Sequence, residues 1–198
     1  EFCAPGRRMA APAILIAVFA GLWAYGALRL ADAPAVTVPG MVVRLVQPDV
    51  PQNEKYVRRY VARNLQRLLD LSNAPGRVTH IIWPEAAPPF LLDRSAVALD
   101  EITALTRGGR SLITGSARAT RDPGNVAFYN SLYIFGPGGR SEAVYDKFHL
   151  VPFGEYVPFA DLLGRIGITK LTEGQAGFSS GEGPRIYRMT GAPDVTPL

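Results

Sequence analysis

A run of 20 residues without a charged side chain, from Met9 to Leu28, constrains this chain more than any other part of its sequence. About 20 apolar residues in a helix span the ~30 Å hydrocarbon core of a bilayer. Trp23 and Tyr25 lie near one end of the run, where interfacial aromatic residues are common. We therefore predict a transmembrane helix over residues 9–28, with a stub at 1–8 and a linker at 29–40.

The charges around this run indicate its orientation. Arg7 and Arg8 precede it and Arg29 follows it, so the positive-inside rule places residues 1–8 in the cytoplasm and the following domain outside. A cleaved signal peptide is an alternative, but the run is long for its apolar region and residues 28–32 make a poor cleavage site. The third reading is a buried helix of a soluble protein.

Other features of the sequence suggest that the helix has neighbours. Gly21, Gly26 and the alanines are small residues of the kind that let transmembrane helices pack closely. The chain also begins with Glu1 rather than methionine. We therefore expect a fragment of a longer protein with several membrane spans.

Composition excludes several classes of function. The net charge of +4 is small, and no Lys/Arg-rich run indicates a nucleic-acid partner. Cys3 is the only cysteine, so no disulfide framework is expected; it is interpreted as a free thiol, with lipidation as the alternative. The sequence contains neither a His/Cys/Asp cluster at ligand spacing nor a Gly-rich phosphate loop, so no metal or cofactor is predicted.

The remaining residues, 41–198, alternate between strand and helix patterns. Helical spacing of apolar residues predicts helices over 53–72, with Asn53 as the N-cap, and over 95–107. β-Branched and apolar runs predict strands over 41–47, 78–83 and 112–115, and then a hairpin of strands 130–135 and 142–147. A short helix near Leu162 and a strand near residues 185–187 are predicted in the Gly/Pro-rich remainder. This order is typical of an α/β layered sheet.

Two charged residues lie at the ends of predicted strands. Glu85 ends an apolar strand just after Trp83 and Pro84, and functional groups of α/β sheets collect at the carboxyl ends of strands. Burial beside the aromatic ring would raise the pKa of this carboxyl, as suits a general base near neutral pH. Lys147 ends a hairpin strand, where an ammonium can stabilise an oxyanion. Taken singly, an exposed loop carboxylate and a strand-edge lysine are equally ordinary readings.

Together these segments resemble the nitrilase superfamily, whose catalytic triad is Glu, Lys and Cys, and within it the apolipoprotein N-acyltransferases of the bacterial inner membrane. The resemblance covers nearly the whole chain. It is carried by residues 46–52 (VQPDVPQ), 81–85 (IIWPE), 129–131 (YNS) and 147–158 (KFHLVPFGEYVP). It implies a nitrilase-type α-β-β-α sandwich, here incomplete, behind one transmembrane helix.

The resemblance also implies roles for single residues. Glu85 is the general base, Lys147 stabilises the tetrahedral oxyanion, and Glu155 is the auxiliary carboxylate that holds the geometry of the site. Tyr56, Phe153 and Tyr156 are implied to contact lipid, although many members of the family have tryptophan where this chain has Tyr56. Asn130 is interpreted as a turn-stabilising amide that supports the strand of the lysine. His149 is interpreted as structural, and His80 as a hydrogen-bonded core histidine.

The implied reaction transfers a fatty acyl chain from a membrane phospholipid to the amine of a diacylglyceryl-cysteine on an apolipoprotein, through a thioester. The partners are then the phospholipid and the diacylated apolipoprotein, and the place is the bacterial inner membrane with the domain on the periplasmic side. The family's cysteine follows a segment like residues 194–198, so we expect these 198 residues alone to lack acyl-transfer activity and to leave an open sheet edge. The alternatives are a membrane-tethered amidase and a non-catalytic fragment.

Overall fold

The computed structural model describes residues 5–31, 33, 37–120, 126–158 and 177–197. The chain divides into two compact units, Glu1–Thr37 and Val38–Leu198. In the first unit, helix α1 extends over Pro5–Ala31. Its stretch Met9–Ala31 is long and apolar enough to cross a membrane, and none of it is buried. The helix continues three residues past the predicted boundary at Leu28.

The second unit contains a five-stranded mixed sheet with helices. Its strands lie in the order β1 (Val43–Leu45), β2 (His80–Ile82), β3 (Ser111–Ala119), β4 (Phe128–Phe135) and β5 (Ser141–Asp146). Strands β1, β2 and β3 are parallel, whereas β3, β4 and β5 are antiparallel to their neighbours. The predicted α/β class, with an apolar helix before it in the sequence, is confirmed.

Helices cover one face of this sheet and build the core. They are α3 (Arg58–Ser72) and α4 (Ala96–Leu105), which begins at Ser95, whose hydroxyl caps it by accepting a bond from the Ala98 N–H at 3.3 Å. Burial of apolar area drives this packing. The core comprises helix residues Leu68, Leu69, Ile102 and Leu105 and sheet residues Ile81, Trp83, Leu112, Tyr133 and Phe135, among others.

The predicted helix over 53–72 is divided in the structure. A short helix α2 occupies Gln52–Lys55, and the extended backbone of Val57 separates it from α3. Asn53 lies inside α2 and Pro51 precedes it, so the prediction of Asn53 as the N-cap is wrong. Helix α2 buries no residue, so apolar packing does not hold it in line with α3.

Strand β3 is longer than its sequence pattern predicts. It pairs with β4 from Leu112 opposite Phe135 to Ala119 opposite Phe128. Gly115, Ala117 and Ala119 have weak strand preference, and pairing with a neighbouring strand overrides it.

The segment 177–197 contributes to the opposite face of the sheet. Met189 is buried, and the Nε2 atom of His80 lies 3.1 Å from the carbonyl oxygen of Thr190. The Nδ1 atom of His80 lies 2.8 Å from the Thr79 hydroxyl, so the predicted core histidine is confirmed. Tyr187 forms only an isolated bridge with Val195 instead of the predicted strand. The helix predicted near Leu162 lies outside the described residues.

Strand β1 lies at one edge of the sheet. Its Leu45 side chain is 76% exposed and Val43 is 42% exposed. The sequence predicts an open sheet edge, and β1, at the end of the strand order, lies at such an edge.

Candidate active site

Glu85 is held against strand β3 by the backbone that follows β2. The Trp83 N–H donates to the Ile113 carbonyl at 2.9 Å, and the Ala87 N–H donates to the Gly115 carbonyl at 3.2 Å. A Cβ atom at Gly115 would lie 2.9 Å from Glu85 Cα, closer than real Cβ contacts allow. Gly115 therefore lets the Glu85 backbone lie directly on the sheet.

Lys147 is the first residue after β5, and its side chain is directed at two carboxylates. Its backbone N–H donates to the Asn130 carbonyl at 2.8 Å, which continues the ladder with β4. The Lys147 Nζ atom lies 3.0 Å from both carboxylate oxygens of Glu155 and 3.9 Å from Glu85 Oε1. The structure thus brings the three predicted charged residues together.

Glu155 is the most enclosed of the three, with 11% of its side chain exposed. The Val151 N–H donates to its Oε2 at 2.8 Å, and the Asn130 amide donates to its Oε1 at 2.6 Å. Burial acts to raise the pKa of this carboxyl, but the bonds from Val151, Asn130 and Lys147 outweigh it and hold the pKa below its usual range. Glu155 is therefore an ionised anchor for Lys147.

Asn130 links the site together from strand β4. Its Nδ2 atom donates to Glu85 Oε1 at 2.5 Å and to Glu155 Oε1 at 2.6 Å. The prediction of a turn-stabilising amide is wrong, because Asn130 lies within a strand and only 9% of it is exposed. Asn130 does support the strand that carries the lysine, because its carbonyl accepts a bond from the Lys147 N–H. In the sequence, Asn130 stands out as a polar residue within a largely apolar strand, and this pattern could have indicated a side chain with hydrogen-bond partners.

Glu85 is not buried beside Trp83, so its environment is that of the exposed loop carboxylate that the sequence left open. The Glu85 side chain is 64% exposed, whereas Trp83 is buried in the helix-covered core, where its Nε1 donates to the Ser72 hydroxyl at 2.8 Å. Lys55, which sequence reasoning did not single out, donates from Nζ to the Glu85 carbonyl at 3.3 Å. This contact brings α2 to the site, and no pattern in the sequence indicated it.

The predicted lipid-contacting residues expose their rings. Tyr56 is 61% exposed and follows Lys55, whose Nζ lies 5.7 Å from the centre of its ring. Phe153, at 55%, and Tyr156, at 37%, belong to the loop that carries Glu155. A bond of 2.7 Å from the Phe153 N–H to the Tyr156 carbonyl closes this loop. Large exposed apolar side chains beside a site are typical of binding surfaces.

Among the described residues, His149 forms no hydrogen bond or ion pair with Glu85, Lys147 or Glu155. Its side chain is exposed, and its ring lies 4.8 Å from that of Phe148 in an edge-on arrangement. Within the described ranges, no group of three or more His, Cys, Asp or Glu side chains is placed to hold a metal ion.

The arrangement combines three chemical capacities. Glu85 is exposed and can accept a proton from a group that approaches from solvent. Lys147 presents a fixed ammonium close by, where negative charge on a reacting oxygen would be stabilised. Glu155 and Asn130 hold these two groups in place. Covalent catalysis by such a set would also need a nucleophile.

Comparison with known proteins gives clear relatives. No protein-family model matches the sequence. The chain is 39% identical over 207 residues to the apolipoprotein N-acyltransferase of Bradyrhizobium diazoefficiens, a match that covers 98% of this chain and 38% of the relative. It is 36% identical over 203 residues to the enzyme of the same name from Rhodopseudomonas palustris, covering 97% of this chain and 38% of that relative. The chain thus spans about two fifths of the length of these curated relatives.

Solved structures with a similar backbone are carbon–nitrogen hydrolases and amidases. The carbon–nitrogen hydrolase of Helicobacter pylori matches 76% of this chain and 48% of its own, with a TM-score of 0.49 and 15% identity. An N-terminal amidase in complex with an Asn-Glu-Ala peptide matches 78% of this chain and 37% of its own, with a TM-score of 0.45 and 14% identity.

Proposed function

Because the chain is homologous along nearly its whole length to one segment of the apolipoprotein N-acyltransferases, we propose that the protein carrying it catalyses the N-acylation of lipoproteins. The acyl chain comes from a membrane phospholipid, and the acceptor is the amine of an S-diacylglyceryl-cysteine. The observation that carries this proposal is the cluster of Glu85, Lys147 and Glu155 bridged by Asn130.

In the first half-reaction, a cysteine thiol gives its proton to the Glu85 carboxylate and attacks the ester carbonyl of the phospholipid. Lys147 stabilises the oxyanion of the tetrahedral intermediate. The C–O bond of the ester then breaks, and the leaving alkoxide takes the proton from Glu85, which yields a lysophospholipid and a thioester. The exposure of Glu85 supports this role, because both thiol and leaving group must reach it.

In the second half-reaction, the acceptor amine attacks the thioester. Glu85 removes a proton from the amine, Lys147 again stabilises the oxyanion, and the C–S bond breaks. The thiolate leaves and regains the proton from Glu85, so that the enzyme returns to its starting state.

The nucleophile is proposed to follow residues 194–198 in the complete protein. Cys3 is an unsuitable candidate, because the apolar stretch Met9–Ala31 separates it in sequence from the domain of Glu85 and would hold it across the bilayer. Reading the encoding DNA downstream of the Leu198 codon tests this point. A cysteine codon within the next few positions is expected, and a stop codon there would contradict it.

The surroundings of the site support a membrane substrate. Tyr56, Phe153 and Tyr156 present exposed rings that would contact the acyl chain. Helix α1 would hold the domain at the membrane, with the inner membrane and its periplasmic side as the proposed location. The proposed partners are therefore a phospholipid donor and a diacylated apolipoprotein acceptor.

The test uses the complete protein in membranes with a phospholipid carrying a labelled acyl chain and a diacylated lipopeptide. We expect mass spectrometry to detect the lipopeptide with one added acyl chain. Glu85→Gln should lower this rate at least about 100-fold, as loss of a general base does. Glu101→Gln, an exposed carboxylate on α4, is the matched control.

Two results would contradict the proposal. Release of the acyl chain to water alone would identify a hydrolase, and a folded, membrane-inserted protein that transfers no acyl chain would not be an acyltransferase.

A further inference from the structure

Arg118 and Asp146 form an ion pair on the face of the sheet opposite to Lys147. Arg118 Nε donates to Asp146 Oδ1 at 2.9 Å and Nη2 donates to Oδ2 at 2.5 Å, the two-bond geometry of an arginine–carboxylate pair. Ser131 adds a third bond, from its hydroxyl to Asp146 Oδ1 at 2.6 Å. Burial opposes the charge of Arg118, but its bond to Asp146 is the largest influence and raises the pKa of the guanidinium.

This pair connects three strands at the end of the sheet nearest the candidate site. Arg118 belongs to β3 and reaches past β4 to Asp146 on β5. Its guanidinium lies 4.7 Å from the centre of the Tyr129 ring, the residue opposite it on β4. Arg118 and Asp146 expose only 27% and 22% of their side chains, so water screens the pair less than it screens a fully exposed one.

The pairing of β4 with β5 is irregular at the end of these strands that lies far from the ion pair. Ile134 lies opposite Ala143 and Phe135 lies opposite Ser141, so the register shifts between these pairs. The hairpin turn therefore does not set the register near Lys147 by itself. Since side chains alternate between faces, a slip of one residue would move Lys147 to the face where Asp146 now lies.

Asp146 is the residue directly before Lys147 and lies opposite Ser131. Lys147 follows on the other face, beside Asn130 and Glu155. Fixing Asp146 on one face therefore fixes the ammonium of Lys147 on the other.

We propose that Arg118 and Asp146 are positioning residues, which hold the end of β5 in the register that directs Lys147 at Glu85 and Glu155. The role in catalysis rests on the proposed function, whereas the effect on Lys147 does not. Neither residue touches the proposed substrates. They act through the backbone from the opposite face.

The first test measures the position of Lys147 without any turnover. Membrane-inserted complete protein is treated with an amine-reactive acylating reagent, and labelling of Lys147 is followed by peptide mass spectrometry. We expect Arg118→Met to raise the labelling rate at least about fivefold, since Lys147 would leave the shelter of Glu155. The matched control is Arg140→Met, which removes an arginine and one ion pair at the far end of β5 and should leave the rate within about twofold.

The second test measures turnover with phospholipid and diacylated lipopeptide. Misplacing a catalytic group by about 1 Å costs on the order of 100-fold in rate. We expect Arg118→Met to lower kcat about 10- to 100-fold while KM changes less than about twofold. Arg118→Lys keeps the charge but cannot form two parallel bonds, so its kcat should fall between those of Arg118→Met and wild type.

A folded Arg118→Met protein that keeps wild-type Lys147 labelling overturns the proposal. If Arg118→Met does not fold, Asp146→Asn, which keeps the shape and removes the charge, is measured in the same two assays and decides by the same criterion. If labelling responds as expected but wild-type protein transfers no acyl chain, the positioning inference stands and the proposed function fails.

Discussion

Asn130 and Lys147 lie side by side where strand β4 begins and strand β5 ends, joined by a 2.8 Å bond from the Lys147 N–H to the Asn130 carbonyl. The same asparagine donates from its side chain to Glu85 and to Glu155. One residue thus holds the lysine through its backbone and both carboxylates through its amide. Such a bridge is sensitive to small changes, because each bond depends on the position of the others.

Replacing Asn130 with aspartate should disable this bridge. The new carboxylate would face two others in place of a donor, and like charges at this distance repel. We expect kcat of the complete protein to fall about 10- to 100-fold, in the range typical of displaced catalytic groups. Steady-state acyl transfer measures it. Asn73→Asp, at an exposed helix end, is the control, and unchanged kcat in Asn130→Asp would refute the bridging role.

Gly115→Ala should displace the backbone of Glu85. The added methyl group would lie 2.9 Å from Glu85 Cα and 3.0 Å from the Ala86 nitrogen, so backbone must move. Overpacking of this kind costs about 1–3 kcal/mol of unfolding free energy. Urea unfolding measures the loss. At Gly154 an added methyl group would meet nothing closer than 3.5 Å, so Gly154→Ala should cost less than Gly115→Ala, and equal losses would argue against a specific contact.

Glu155 should make stability depend on acid pH. Its pKa is held below its usual range in the folded protein, since the bonds from Val151, Asn130 and Lys147 outweigh the effect of burial. The ionised form therefore contributes stability that is complete above the unfolded pKa and is lost as pH falls through the folded pKa. Glu142, whose pKa is also lowered, contributes in the same direction.

The measurement is urea unfolding of wild type and Glu155→Gln at neutral and acid pH. At pH 7 we expect the variant to be about 1–3 kcal/mol less stable, the usual cost of disturbing buried polar partners. The difference should shrink as pH falls through the lowered pKa of the folded carboxyl, where Glu155 becomes protonated. A difference independent of pH would mean that the charge of Glu155 does not stabilise the fold.

Trp83→Phe should destabilise the link between β2 and α3. Trp83 is 2% exposed, and its Nε1 donates to the Ser72 hydroxyl, which in turn donates to the Leu68 carbonyl at 2.6 Å. The substitution should cost about 1–3 kcal/mol in unfolding free energy, because it leaves a cavity and takes away the donor to the Ser72 oxygen. Thermal or urea unfolding measures it.

Tyr133→Phe is the control for that substitution. Its hydroxyl is also buried but has no hydrogen-bond partner among the described residues, and burial, with the nearby charge of Asp93, raises the pKa of the phenol. Removing an unpaired buried polar group should leave stability unchanged or slightly higher. A loss at Tyr133 as large as that at Trp83 would show that hydrogen bonding is not what distinguishes the two sites.

Local sequence patterns were enough to predict most elements of this protein. The uncharged run after Arg8 predicts helix α1, because length and polarity decide whether a segment can cross a bilayer. Alternating helix and strand patterns predict the α/β sheet, whereas the meeting of Glu85, Lys147 and Glu155 is implied by the resemblance of their segments to the nitrilase superfamily. Two predicted boundaries are wrong. Strand β3 is longer than predicted because pairing with β4 overrides local preference. The helix predicted over 53–72 is divided, and its first part, α2, buries no residue.

The sequence by itself determined the residue types of the site and the elements that carry them, because these depend on local spacing and polarity. The tertiary structure alone decided that Glu85 is exposed while Trp83 is buried, and that Asn130 bridges two carboxylates. It also decided that Lys55 reaches the Glu85 loop and that Arg118 ties β3 to β5. These contacts join residues 25 to 45 positions apart, and their geometry follows from sheet register and packing, which no local pattern specifies.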